Sequence, residues 1–182
     1  MTDVRSCIVE ETRKLAVDVL FCEKGHFVAA GLWRWVNYVL GIPAAIIAAT
    51  AGAKILGGDG ALLPGLLALA ASALVALNTF LNPAERSGSH HGAGVEYGRL
   101  RRLIRQFVQI DPLTAATDAE LKVRLEDFTK QVNDIQATSP PLFPYARWKA
   151  KQEIDGGYSD YTDAELNTAA GTKRTPPASA AC

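Results

Sequence analysis

The chain has 182 residues, room for one functional unit, and its 19 basic and 19 acidic side chains cancel to a net charge of zero. That balance is an average over strongly apolar and strongly charged regions. Three cysteines (Cys7, Cys22, Cys182) form no CxxC or metal-type spacing, and the three histidines join them in no catalytic triad. With no phosphate loop or metalloprotease motif either, composition and motifs exclude the common enzyme chemistries; no cofactor and no bound metal are expected.

In chain order, residues 4 to 22 place Val4, Ile8, Leu15, Val19 and Cys22 mostly three or four apart with charges between them, which predicts an amphipathic helix. The first 34 residues carry five basic and five acidic groups, too long and too charged a lead for a secretory signal. Trp33, Trp35 and Tyr38 then cluster as aromatic rings do at headgroup level.

Trp35 to Ala53 and Gly60 to Ala84 carry no charge. At a rise of 1.5 Å per residue the first makes a helix of about 28 Å, close to the ~30 Å hydrocarbon core of a bilayer. Six residues, Lys54 to Asp59, separate the two runs, and Gly57, Gly58 and Gly60 supply turn chemistry. The prediction is a transmembrane helical hairpin, with spans near 35–53 and 62–83. Pro43 should bend the first span, and Pro64 falls in the first turn of the second, where a missing N–H costs little.

On a wheel of 100° per residue, Asn37, Gly41, Ala44, Ala48 and Gly52 oppose Val39, Ile42, Ile46 and Ile47 in the first span. In the second, Gly65, Ala68, Ser72, Thr79 and Asn82 oppose Leu66, Leu69, Leu77, Phe80 and Leu81. Large apolar faces suit lipid and small faces permit close helix approach. The small faces either pack the two helices of one hairpin together or let several hairpins assemble, with Ser72, Asn78, Thr79 and Asn82 near an aqueous path.

Residues 85 to 105 hold five basic groups against two acidic, whereas the hairpin loop offers only Lys54, so the positive-inside rule puts both termini in the cytoplasm. Tyr97, Leu100, Leu103, Ile104 and Phe107 describe a helix that Asp111-Pro112 ends. Arg101, Arg102 and Arg105 on its other side either snorkel to anionic lipid or hold a phosphate-bearing ligand. Without a Gly-rich loop or aromatic platform nearby, direct nucleic-acid binding is not expected. Glu85, Arg86, His90 and His91 stand just past the second span. They either tie the hairpin base to the soluble helices or act as a latch answering to pH or a partner.

Thr117-Asp-Ala-Glu120 reads as a capping box. Leu121, Leu125, Phe128, Val132 and Ile135 follow at spacings of 4, 3, 4 and 3, a seam that suits an oligomer or a partner helix. Ser139-Pro-Pro-Leu-Phe-Pro144 breaks it. Thr-Asp-Ala-Glu-Leu recurs at 162 to 166, capping a short helix that ends near Gly171, and a disordered tail is expected from Thr172.

Several of these motifs also occur in a known family. The Thr-Phe-Leu-Asn-Pro end of the second span (Thr79–Pro83), Glu85-Arg86, His90, Ala93-Gly94, Tyr97, Leu100 and the Pro140-Pro-Leu-Phe-Pro-Tyr-Ala-Arg-Trp148 stretch follow the tight hairpin in order. This arrangement resembles the SLATT domains, the SMODS and SLOG-associating two-transmembrane effectors of bacteria, over roughly residues 10 to 153. His91 stands where the family more often has a basic residue. The resemblance implies an all-α, multi-pass protein of the bacterial inner membrane that assembles into homo-oligomers and forms pores or otherwise disrupts that membrane after phage infection. It also implies a partner encoded nearby: a nucleotide-second-messenger synthase, a SLOG-type sensor or a reverse transcriptase. A non-conducting anchor that recruits a partner through its cytoplasmic helices is the competing expectation.

Overall fold

A computed structural model of the protein describes residues 4–57, 62–113, 116–157 and 163–169. The Gly58–Gly60 turn, Thr162, Gly171, the tail from Thr172 and Cys182 lie outside the described residues. Among the described residues there are six α-helices, one 3₁₀ turn and no strand.

One helix organises the rest. α1, Val4–Leu56, is 53 residues long and spans about 80 Å. The amphipathic N-terminal segment and the first apolar run, expected as separate elements, are one helix that continues through Pro43. α2 (Leu62–Leu81) lies beside the apolar half of α1, and α3 (Pro83–Ile110) beside its charged half. Asn82 joins α2 to α3 in the left-handed conformation (φ 43°), which asparagine tolerates better than most residues, and Pro83 opens α3. The second apolar helix therefore stops at Leu81.

Only 11% of the most apolar window of either long helix is buried, the opposite of a soluble core helix. The chain thus carries two helices long and apolar enough to cross a membrane. Ile42, Ile46, Leu66, Leu69, Leu77 and Phe80 are exposed on them, as the wheel predicts.

The seam between the two runs elsewhere than expected. The sheltered positions of α2 are Pro64, Leu67, Ala71, Leu74, Asn78 and Leu81, spaced 3, 4, 3, 4 and 3. On α1 the sheltered residues include Leu40, Ala44, Ile47 and Ala51. This is the seven-residue period of coiled-coil packing. Gly65, Ala68, Ser72, Thr79 and Asn82 each follow a seam residue by one position, about 100° around the helix, and all are exposed. Ala48 and Gly52 are exposed as well, while Ala44 is buried and Asn37, Gly41 and Asn78 are half-buried. The small faces as a whole do not close the hairpin. Ile47 and Leu81, expected to face outward, turn inward because they fall on the seven-residue period.

Beyond the joint, α3 tracks α1 in the antiparallel sense through small residues. A methyl group on Gly94 would stand 3.1 Å from the Phe27 ring, and one on Gly98 3.0 Å from the Glu23 carboxylate. α4, Asp118–Thr138, packs on both helices. It opens with the expected capping box: the Glu120 N–H donates to Thr117 Oγ1 at 3.3 Å and the Thr117 N–H to Glu120 Oε2 at 2.7 Å. The Thr117 N–H, with the Thr117 hydroxyl donating to the same oxygen at 3.0 Å, holds the Glu120 carboxyl below its usual range. Arg5 ties the start of α1 to this corner, with its Nε 3.1 Å from Asp118 Oδ1 and Nη1 donating to the Pro112 carbonyl at 3.0 Å.

The Leu121–Ile135 seam is consumed inside the chain. Leu121 and Phe128 join Ile8, Val19, Tyr97, Leu100, Ile104 and Phe107 in the core, with Leu125, Val132 and Ile135 packed against it. Phe128 meets Phe107 edge-on at 5.4 Å between centroids. The same spacing that suits a second chain also suits the two helices already beside it, and here the seam packs within the chain. Leu103, placed on the core face by its spacing, is exposed instead. α5 (Pro144–Asp155) lays Ala146 and Ala150 against α1, and α6 (Asp163–Ala169) follows where the second Asp-Ala-Glu-Leu string predicts it.

Phe128→Ala is accordingly expected to destabilise the folded chain by about 3–5 kcal/mol, as for other buried aromatic truncations. Val123→Ala on the exposed side of α4 should change it by less than about 0.5 kcal/mol. Denaturant unfolding followed by circular dichroism in detergent measures both; equal effects would contradict the internal seam.

Candidate functional site

The residues just past the apolar helices converge on a buried cluster between α1 and α3. His26 and His90 are 3% and 4% exposed, and their Nδ1 atoms stand 3.1 Å apart. At that distance one ring donates and the other accepts, which requires a neutral Nδ1 on the acceptor. Tyr97 stacks on His26 at 5.6 Å between centroids, and Phe143 meets His90 edge-on at 6.4 Å. Leu142 reaches α1 from the α4–α5 connection: a methyl group on Gly25 would stand 2.7 Å from its Cδ1, so a side chain there would make Leu142 shift.

Burial governs the electrostatics. It lowers the His26 pKa from 6.5 to about 4, with the neighbouring His90 adding to the effect. Burial also lowers His90, helped by the Arg86 charge. Tyr97 is pushed up to about 12, first by burial and then by Cys22, and burial raises the Cys22 thiol. No cluster of three or more His, Cys, Asp or Glu among the described residues is arranged to hold a metal ion.

Around the cluster the two long helices are pinned by polar contacts. Ser87 Oγ donates to the Ala30 carbonyl at 2.9 Å, and the Arg86 guanidinium sits 4.9 Å from the centre of the Trp33 ring. Asn82 donates its side-chain amide to Glu85. Farther along, Arg101 Nε is 2.7 Å from a Glu23 carboxylate oxygen, an ion pair largely shielded from solvent.

Of the residues singled out from the sequence, Glu85, Arg86 and His90 line the cavity at the joint, and Tyr97 joins His90 in the cluster around His26. Arg101, Arg102 and Arg105 are not. Arg101 is committed to Glu23, while Arg102 and Arg105 lie about 30 and 35 Å along α3 from Asn82, well past a Debye length of ~8 Å. Both thus stand far along α3 from the end of the apolar helices. The basic groups at that level are Arg34 and Arg86. His26 escaped the sequence reading as a partner of His90. Its position four residues after Cys22 shows a shared face, but nothing in spacing alone pairs residues 64 apart.

In the apolar half, Ser72 Oγ donates to the Ala68 carbonyl at 2.8 Å and Thr50 Oγ1 to the Ile46 carbonyl at 2.8 Å, so both hydroxyls are satisfied within their own helices. Asn78 turns into the seam, where its buried Oδ1 accepts no hydrogen bond. Comparison with protein-family models, curated proteins and solved structures finds no match to this chain.

The histidine pair predicts a signed pH dependence. With its pKa near 4 when folded and 6.5 when unfolded, His26 binds fewer protons in the folded state across that interval. Stability should be full above about pH 6.5 and fall as pH drops toward 4. His26→Gln, which keeps a hydrogen-bonding group that does not ionise, should flatten the profile of melting temperature between pH 4.5 and 7.5. An unchanged slope would detach the effect from this pair.

Proposed function

We propose that the protein is a non-catalytic, two-span membrane effector that assembles with copies of itself and permeabilises a bacterial inner membrane in defence against phage. In this reading α1 and α2 cross the bilayer as a hairpin and the helical stalk of α1, α3, α4 and α5 lies in the cytoplasm. Arg34 and Arg86 flank the spans on the stalk side, the arrangement that the positive-inside rule favours for cytoplasmic termini. Trp35, 61% exposed, and Tyr38 stand at the same level, as interfacial aromatics do. The resemblance to SLATT domains points the same way and carries the association with a nearby second-messenger synthase, SLOG-type sensor or reverse transcriptase.

The observation that carries the assembly is the stripe of Gly65, Ala68, Ser72 and Thr79. The hairpin closes on a different seam and leaves the stripe exposed. Helices in lipid gain nothing from burying apolar surface and associate where small side chains let backbones come close. Because Ser72 satisfies its hydroxyl internally, the stripe serves packing by its shape more than by its polarity. A pure anchor has no use for it. The Leu121–Ile135 seam, through which an adaptor would recruit, packs on the chain's own core, which favours the effector reading.

Ala68→Leu with Ser72→Leu tests this, since both sites are exposed and outside the hairpin seam. Asn82 is a poor site for the same purpose, because leucine there would strain the left-handed joint. Expressed in a bacterium under tight induction, the wild-type chain is expected to depolarise the membrane before viable counts fall. The double variant should accumulate in the membrane without depolarising it. Depolarisation that survives both substitutions would place assembly on another face.

A further inference from the structure

A cavity of about 520 Å³ opens at the α2–α3 joint, between the base of the two apolar helices and the Pro140–Pro141 turn. It falls within the ~300–1,000 Å³ typical of small-ligand sites. Its lining combines the apolar rings of Trp33, Phe80 and Phe143 with the charged side chains of Glu85 and Arg86. Phe80, in the last turn of α2, is 85% exposed, a large ring that the protein itself does not cover.

Two opposite charges share this cavity without pairing with each other. Arg86 holds its guanidinium over the Trp33 ring, and no carboxylate among the described residues pairs with its N–H donors, which leaves them for an anion. Glu85 accepts the Asn82 amide on one carboxylate oxygen, and its other oxygen has no protein donor among the described residues. The adjacent His90 is held neutral by burial and adds no charge.

We propose that this cavity binds the headgroup of an ethanolamine phospholipid, with the phosphate on Arg86, the ammonium on Glu85 and an acyl chain along Phe80. The proposal rests on the membrane-spanning reading above. Charge complementarity selects the headgroup. A phosphate oxygen fits the planar guanidinium donors, and an ammonium bearing N–H groups supplies the donor that the free Glu85 oxygen lacks. A choline headgroup carries no N–H to donate. A glycerol headgroup brings the phosphate and hydroxyl donors but no cation, so the Glu85 charge stays uncompensated.

The test uses the full chain, purified in a mild detergent and incubated with an equimolar mixture of phosphatidylethanolamine, phosphatidylcholine and phosphatidylglycerol of matched chains. Native mass spectrometry counts the lipids that remain bound. Wild-type protein is expected to retain the ethanolamine lipid about tenfold over the other two. Glu85→Gln should lose the preference over choline while still binding lipid, and Arg86→Gln should lose retention of all three. Both residues are surface-exposed, and unchanged circular dichroism spectra establish that the variants fold. Soluble phosphoethanolamine at millimolar concentration should compete if the headgroup is what is recognised.

Equal retention of all three lipids, a preference for phosphatidylglycerol, or an ethanolamine preference that survives Glu85→Gln would each overturn the proposal. Alkaline carbonate extraction of the expressed protein separates the two layers of the argument. Release from the membrane fraction overturns the spanning reading and this site together. Retention with no ethanolamine preference overturns the site alone.

Discussion

An unbroken α1 is the constraint from which the other contacts follow. Because one helix carries both the apolar and the charged halves, any shift at one end is transmitted along about 80 Å of hydrogen-bonded backbone to the other. Its partner is divided into two helices by Asn82-Pro83, so rigidity on one side faces a joint on the other. The polar contacts gather at the level of that joint: Arg86 on Trp33, Ser87 on Ala30, His90 on His26. Hydrogen bonding there holds the register that apolar packing alone leaves loosely specified.

Small residues set how closely the stalk helices approach. Gly94 lets the Phe27 ring lie against α3, and Gly25 admits Leu142 from the α4–α5 connection. With Leu142 and Phe143 seated, the histidine pair is shut away from solvent and its rings are kept neutral. The connection that seals the cluster also lines the cavity at the α2–α3 joint. Packing in the stalk and the surface offered at the base of the apolar helices are thus two sides of one short segment.

The apolar helices follow a different logic from the stalk. Their seam keeps a strict seven-residue period, and the small-residue stripe lies one residue around from it. A protein that needed only a closed hairpin would use its smallest face for the closure. Here Leu67, Ala71 and Leu74 fill the seam, and the stripe is left exposed.

Much of the architecture was legible in the residues themselves. Uncharged runs of span length, the Thr117–Glu120 capping box, the Asp111-Pro112 stop and the Ser139-Pro-Pro break are local signals, and local hydrogen bonding or hydration determines them without reference to the rest of the chain. Tertiary structure decided which of two equivalent faces is used. A wheel at 100° per residue sees a small face and a large one, but packing two helices over six turns follows the 3.5-residue period, which drifts by about 20° every heptad. Likewise a heptad seam at Leu121–Ile135 states that a partner exists and not whether it is another chain; within this chain α1 and α3 pack on it. The pairing of His26 with His90 depends on two helices meeting side by side in one register, and no sequence-local signal encodes where residues 64 apart will meet.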